Sequence, residues 1–219
     1  MGAEVVCISR THAALGEEIG ELVAERLGFR YVDEQVIERA ARLARVDPAL
    51  VAAVEQRQPL LRGVLEKLAA ARALIGPATL APVVPVFGGV SQREGPRATR
   101  DELRLLIQAA IHQIADAGRA VIVAHAASMT LATRRDVVRV LVTAAAETRA
   151  RRLVTAQGIT SEAAAAAVAT SDRNRRDYLR RFHAIAEELP THYDLVINTD
   201  VLAPEVAAAV IASVAQAGC

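Results

Sequence analysis

The sequence predicts an α/β fold built on a parallel sheet, and three observations predict it. Short apolar, β-branched runs alternate with longer stretches of helical spacing, the pattern of strand–helix–strand units. The core has to be aliphatic, since 53% of the 219 residues are hydrophobic while only 3% are aromatic and Trp is absent. Ala, Val, Leu and Ile in that proportion suit helices packed on a parallel sheet. The length fits one domain over residues 1–219, with room for a small inserted subdomain.

Glu4-Val5-Val6-Cys7-Ile8 reads as a buried first strand. From Gly16 to Leu27 the apolar residues Ile19, Leu22, Val23 and Leu27 recur at helical spacing, and Gly28 closes the helix as its C-cap. Phe29 to Val32 is a second strand, ending at Asp33. Residues from Glu34 to about Ala73 read as all-helical, with Asp47-Pro48 as N-cap and first-turn proline of the second of three helices. Gly76 to Pro96, with four prolines and Gly88-Gly89, reads as a long loop. A long helix then opens at Thr99 and ends near Gly118, and the apolar run Ala120 to Val123 is a central strand. Val137 to Val142 is a further strand with Arg139 tolerated, Glu147 to Gln157 a helix dense in Arg, and Thr160-Ser161 the cap of another running toward Arg181. Asp194 to Asn198 is the last strand, and the last helix starts at Pro204.

Twenty-six Lys and Arg against 25 Asp and Glu leave a net charge of +1, which gives no case for a nucleic-acid-coating protein. Cys7 lies in an apolar run and Cys219 is the last residue, so neither a disulfide framework nor a metal site is expected. No signal-peptide pattern opens the chain, Val6 stands where a myristoylation motif wants Ser or Thr, and His125 interrupts the best membrane-span candidate. The expectation is a soluble, cytoplasmic protein with no membrane or nucleic-acid partner; a homodimer contact through the helical insert is left open.

In an open parallel sheet, ligands bind outside the carboxyl ends of the strands. Four segments meet there: Ser9 to Gly16, Asp33, His125 to Ser128, and the segment after the fourth strand. A loop between a first strand and a first helix can hold phosphate through backbone N–H groups and the helix N-terminus. The pattern G-x-x-x-x-G-K-[ST] needs glycines for close approach and a Lys on the phosphates. Here only Gly16 falls in the loop, the sole lysine is Lys67, and Glu17 and Glu18 stand where positive charge would help. The alternative is an ordinary strand-to-helix turn. His12 lies in this loop and can hydrogen-bond an anion. Arg149 and Arg152 share a helix face, as do Arg173 and Arg176, while Arg175 points elsewhere. Such forks bind phosphate, or else form a solvated face with Glu partners. Asp33 is a crevice residue or a helix N-cap; His125 is functional or a satisfied strand end.

Four blocks resemble the cytidylate-kinase-like family of nucleoside monophosphate kinase relatives. They are Ile8-Ser9-Arg10 through Gly16-Glu17-Glu18-Ile19-Gly20 with Tyr31-Val32-Asp33, then Val121 to Ala127, then Thr143 to Arg152, and finally Asp172-x-x-Arg175-x-x-Tyr178 with Tyr193 to Thr199. Their order covers nearly the whole chain. The resemblance implies a P-loop NTPase-like parallel five-stranded sheet flanked by helices, a helical acceptor-binding insert over 34–98 and an Arg-bearing lid over 149–182. It implies ATP with Mg²⁺ on the first loop (Arg10, His12, Ala13, Ala14, Leu15, Gly16 and Glu17), an acceptor near Asp33 and His125, and Arg149, Arg152 and Arg175 stabilising the transferred phosphoryl. CMP or dCMP is the leading acceptor. The family's glycine-rich turn is Ala13-Ala14-Leu15-Gly16 here, with Cβ atoms at positions where a phosphate loop can require φ > 0, and its strand-three Gly-Arg is Ala124-His125. These departures sustain an alternative: an inactive relative that binds a nucleotide or other anion in a regulatory or scaffolding role.

Overall fold

The computed structural model describes residues 2–33, 100–123 and 126–217. The helices and loop expected between Glu34 and Pro96, and His125, lie outside the described residues.

Strand β1 (Val5–Arg10) is apolar on both faces and occupies the centre of the sheet, with Val5 to Ile8 at most 1% exposed. It pairs in parallel with β3 (Ala120–Val123) on one side and β4 (Val137–Thr143) on the other. Strand β2 (Arg30–Val32) lies outside β3, and β5 (Leu195–Asn198) outside β4, giving the order β2-β3-β1-β4-β5. The sequence reading ends β1 at Ile8, but Ser9 and Arg10 stay in register with Leu141 and Val142, so the ladder to β4 carries the strand two residues further. Arg139 is tolerated on β4 because its guanidinium meets the carboxylate of Asp194 at 3.0 and 2.6 Å.

Six helices surround this sheet among the described residues: α1 (Gly16–Leu27), α2 (Arg100–Asp116), α3 (Ala127–Thr130), α4 (Ala146–Gln157), α5 (Ser161–His183) and α6 (Pro204–Ala217). The two-residue period of β1 divides the core. Val6 and Ile8 pack with Ile19 and Val23 of α1 and with Ala207 and Ile211 of α6. Val5 and Cys7 pack on the other face with Ile107, Ile111 and Ile114 of α2. Helix α1 sits close to the sheet at Gly20, where an added Cβ would lie 2.6 Å from Val123 Cγ2. Helices α4 and α5 form their own small core from Leu153, Ala164 and Val168, and Ala13 packs on it. That contact brings the arginine-rich helices to the β1–α1 loop.

The chain leaves β1 toward β2 and leaves β4 toward β5, in opposite directions. The carboxyl ends of β1 and β4 therefore flank a switch point, the place where open parallel sheets take ligands. Among the described residues no helix is long and apolar enough to cross a membrane.

Candidate active site at the β1–α1 loop

The loop after β1 turns through two left-handed residues, Ala13 (φ 60°) and Leu15 (φ 65°). Both carry a Cβ, so each holds a conformation that costs on the order of 1 kcal/mol. Leu15 is the N-cap of α1 and gives no side-chain cap hydrogen bond. The first backbone bond of this helix runs from Ile19 N–H to Leu15 C=O at 3.0 Å. The N–H groups of Leu15, Gly16, Glu17 and Glu18 thus have no partner within the helix, as at any helix start. Gly16 is required by space, since a Cβ there would meet Arg10 Cβ at 2.6 Å and Cδ at 2.7 Å.

Hydrogen bonds to its carbonyls hold the loop in this shape. Arg152 Nη1 donates to Ala13 C=O at 3.2 Å and to Thr199 Oγ1 at 3.0 Å, while Nη2 donates to Thr199 C=O at 2.7 Å. Thr199 Oγ1 in turn donates to Ala14 C=O at 3.2 Å. Arg175 Nη1 donates to Arg10 C=O at 3.1 Å. Thr11 N–H bonds Val142 C=O at 3.1 Å, and the Thr11 and Thr143 hydroxyls meet at 3.3 Å, closing the seam between β1 and β4.

Arg175 is itself fixed. Its guanidinium makes a two-pronged contact with Glu188 at 2.8 and 2.6 Å and also reaches Tyr193 Oη, which donates to Glu188. Burial alone would lower the Arg175 pKa, but the bonds to Glu188 outweigh it and the net shift is upward. For Glu188 burial acts upward, and the Arg175 bonds win again, holding the carboxyl below its ordinary range. The pair is therefore charged on both sides at neutral pH. Arg149 takes a different direction from Arg152. It is 5% exposed, its Nη1 and Nη2 each reach Asp172 of α5 at 2.8 Å, and its Nε donates to Ala144 C=O. Two arginines three residues apart on α4 thus serve two seams, α4–α5 and α4–loop.

The loop's electrostatics are divided. Arg10 Nη2 pairs with Glu17 Oε1 at 2.6 Å, while Arg10 Nε is buried with no hydrogen-bond partner among the described residues. Burial, with Asp33, Glu17 and Glu21 nearby, pushes the Tyr31 phenol up to about 12. Asp33 is half-buried directly after β2, and His12 is exposed on the loop. The structure therefore gathers Arg10, Ala13, Ala14, Leu15, Gly16, Glu17, Arg152 and Arg175 in one place, with Tyr31 close to both Arg10 and Asp33. It turns Arg149 into the helix seam.

Thr199, Glu188 and Tyr193 were not singled out from sequence as site residues. Tyr193 and Thr199 fall in the fourth family-like block, but nothing in it marks their side chains for the loop; Thr199 reaches Ala14 across 185 residues, and Glu188 lies outside the blocks. A groove of about 440 Å³ lies between α4 and α5, lined by four alanines and Val168 together with the charged Glu147, Asp172, Arg173 and Arg176. No residue of the β1–α1 loop lines it; the groove reaches the first turn of α4 at Ala146 and Glu147, but the left-handed backbone at Ala13 and Leu15 belongs to the loop. Among the described residues no cluster of three or more His, Cys, Asp or Glu would hold a metal.

No curated protein sequence matches the chain. Among solved structures, an uncharacterised protein from Eubacterium ventriosum ATCC 27560 is similar at 11% identity and TM-score 0.61, over 95% of this chain and 96% of that one. A shikimate kinase from Bacteroides thetaiotaomicron gives 12% identity and TM-score 0.48 over 95% and 94% of the two chains. A dephospho-CoA kinase from Campylobacter jejuni gives 10% and 0.42 over 98% of each. At such identities a likeness speaks for the fold alone, and the first of the three carries it. The sequence pattern of the cytidylate kinase-like family matches residues 5–201, and the chain belongs to that family.

Proposed function

We propose that the chain is a phosphotransferase of the nucleoside monophosphate kinase type, moving the terminal phosphoryl of ATP to CMP, dCMP or a related acceptor. One observation carries the reading: Ala13 and Leu15 hold left-handed backbone, the kind a phosphate loop can require, without glycine at either position and ahead of a helix start with no side-chain cap. Strain of this kind persists where the surroundings over-determine it, and such sites are commonly functional. In this reading the N–H groups of Leu15 to Glu18 receive phosphate oxygens, aided by the helix dipole. Arg152 and Arg175 place positive charge against the loop while fixing its carbonyls. Arg149 holds α5 on α4 through Asp172. Mg²⁺ entering with the nucleotide would supply charge neutralisation at its phosphates. Asp33 and His125 belong to the acceptor side.

The test is direct. The purified chain is incubated with ATP, Mg²⁺ and a panel of nucleoside monophosphates, and diphosphate products are separated by ion exchange. The reading expects a diphosphate from CMP or dCMP, and at least a tenfold loss of kcat in Arg152→Ala, the size expected when one charged stabiliser is removed. No product from any acceptor, with the chain folded, sinks it.

A second reading rests on the Arg10–Glu17 pair. Glu17 and Glu18 already place carboxylates in the first turn of α1, and Glu17 occupies the nearest guanidinium. That arrangement favours a non-catalytic binder that takes a nucleotide or other anion only after the pair opens. Under it, Glu17→Gln tightens ATP binding without creating turnover.

A further inference from the structure

We propose that Thr199, at the carboxyl end of β5, is a positioning residue that clamps the β1–α1 loop in its phosphate-receiving shape, directly through Ala14 and indirectly through Arg152. The proposal rests on the functional reading above and assigns to that site a residue from the far edge of the sheet.

The argument begins with the peptide unit. It is planar and trans, so the C=O of one residue and the N–H of the next point in opposite directions. A hydroxyl that holds Ala14 C=O on the protein side therefore turns Leu15 N–H away from the protein. Thr199 Oγ1 lies 3.2 Å from Ala14 C=O and is positioned to donate to it. A hydroxyl has one proton and two lone pairs. Arg152 Nη1, at 3.0 Å, donates to the oxygen and leaves the proton for a carbonyl. Two carbonyls compete for it, Ala14 at 3.2 Å and Thr143 at 3.3 Å. The same Arg152 nitrogen donates to Ala13 C=O at 3.2 Å, and its Nη2 donates to Thr199 C=O at 2.7 Å. One residue thus organises both carbonyls between the left-handed positions 13 and 15.

Thr199 is 5% exposed, and its own N–H is bonded to Thr143 C=O at 2.9 Å. Its main chain is therefore held independently of its side chain. A strand-end threonine that only closed β5 would need the Thr143 bonds and nothing more. The contacts to Ala14 and Arg152 point instead at the loop, whose strained residues flank the carbonyls being held.

The experiment compares Thr199→Val, which keeps the shape and removes the hydroxyl, with Thr199→Ser, which keeps the hydroxyl. Amide hydrogen exchange is followed by NMR on the full chain, and AMP, ADP and ATP with Mg²⁺ are titrated by calorimetry. Thr199→Val is expected to speed exchange about tenfold at Ala14 and Ile19, whose N–H groups bond Thr11 C=O and Leu15 C=O across the loop, as for loss of one buried hydrogen bond. Amides of β1 and β4 stay unchanged, and Thr199→Ser restores the wild-type pattern. The loss of affinity grows from AMP to ATP, which general destabilisation would not produce. If Thr199→Val does not fold, Arg152→Gln removes the partner from α4 and is read the same way. Loop exchange that is unchanged in the valine variant overturns the clamp, as does a serine variant that fails to restore it. The two ideas separate cleanly: faster loop exchange in a chain that binds no nucleotide supports the clamp and sinks the phosphate reading. Nucleotide binding equal in wild type and Thr199→Val, with equal exchange, does the opposite.

Discussion

Helices α1 and α5 begin with the same physical problem, four N–H groups with no partner in the helix, and meet it in opposite ways. At α5 the N-cap Thr160 is extended (φ −69°, ψ 157°), and its side chain accepts from Ala163 N–H at 3.2 Å. At α1 the N-cap is Leu15 in the left-handed region (φ 65°, ψ 24°), with no side-chain cap. The first solution favours stability and closes the helix end. The second carries strain and leaves the end open, and it lies at the switch point of the sheet. The difference teaches where the molecule gives up stability to keep donors available.

The largest expected effect comes from filling the space the α1 solution needs. Gly16→Ala would put a Cβ 2.6 Å from Arg10 Cβ, which is no flexible chain end and cannot swing aside. A loss of about 1–3 kcal/mol in urea unfolding is expected, as for overpacking, together with loss of nucleotide binding. A change within the error of the unfolding curve would refute the close approach.

Removing the cap at α5 comes next. Thr160→Ala should cost about 1 kcal/mol and leave nucleotide affinity untouched. A matching loss of affinity would erase the distinction between the two helix starts. The left-handed conformation gives a sharper contrast. At Leu15, Gly should be more stable than Ala by about 1 kcal/mol, because the Cβ penalty disappears. At Ala166, inside α5, the order should reverse by about the same amount. Chemical denaturation of Leu15→Gly, Leu15→Ala, Ala166→Gly and the wild type, which carries Ala at 166, checks both signs.

The last effect shows only on acidification, at the far end of α5. Burial first, and the charge of Arg104 second, push His183 down to about 4 from an ordinary value of 6.5. The unfolded chain therefore binds the proton first, and stability falls as pH drops from 6.5 through about 4. His183→Asn should retain more of its pH 7 melting temperature at pH 4.5 than wild type does. Equal curves would remove His183 from the acid response.

Much of this was legible in the sequence because it is periodic or local. Ile19, Leu22, Val23 and Leu27 mark α1, Gly28 closes it in the left-handed region, and Thr160 caps α5 as its position ahead of the alanine run suggests. The need for φ > 0 in the loop follows from the phosphate-loop resemblance, and Ala13 and Leu15 adopt it. The short helix α3 carries no periodic signal in four residues. The clamp was not legible for a different reason. Arg152 and Arg149 share a helix face, yet long flexible guanidiniums diverge to Thr199 and Asp172 according to what tertiary packing brings near. Thr199 matters through Ala14 and Arg152, 185 and 47 residues away in the chain, and sequence spacing cannot encode such contacts.

The most direct test of the open α1 start is a calorimetric titration of the folded chain with ATP and Mg²⁺, repeated with CMP present. Micromolar binding that tightens with CMP is the expected result, placing phosphates on the strained loop beside an acceptor. No detectable heat into the millimolar range would contradict it, and would leave the left-handed loop and its clamp serving some other ligand.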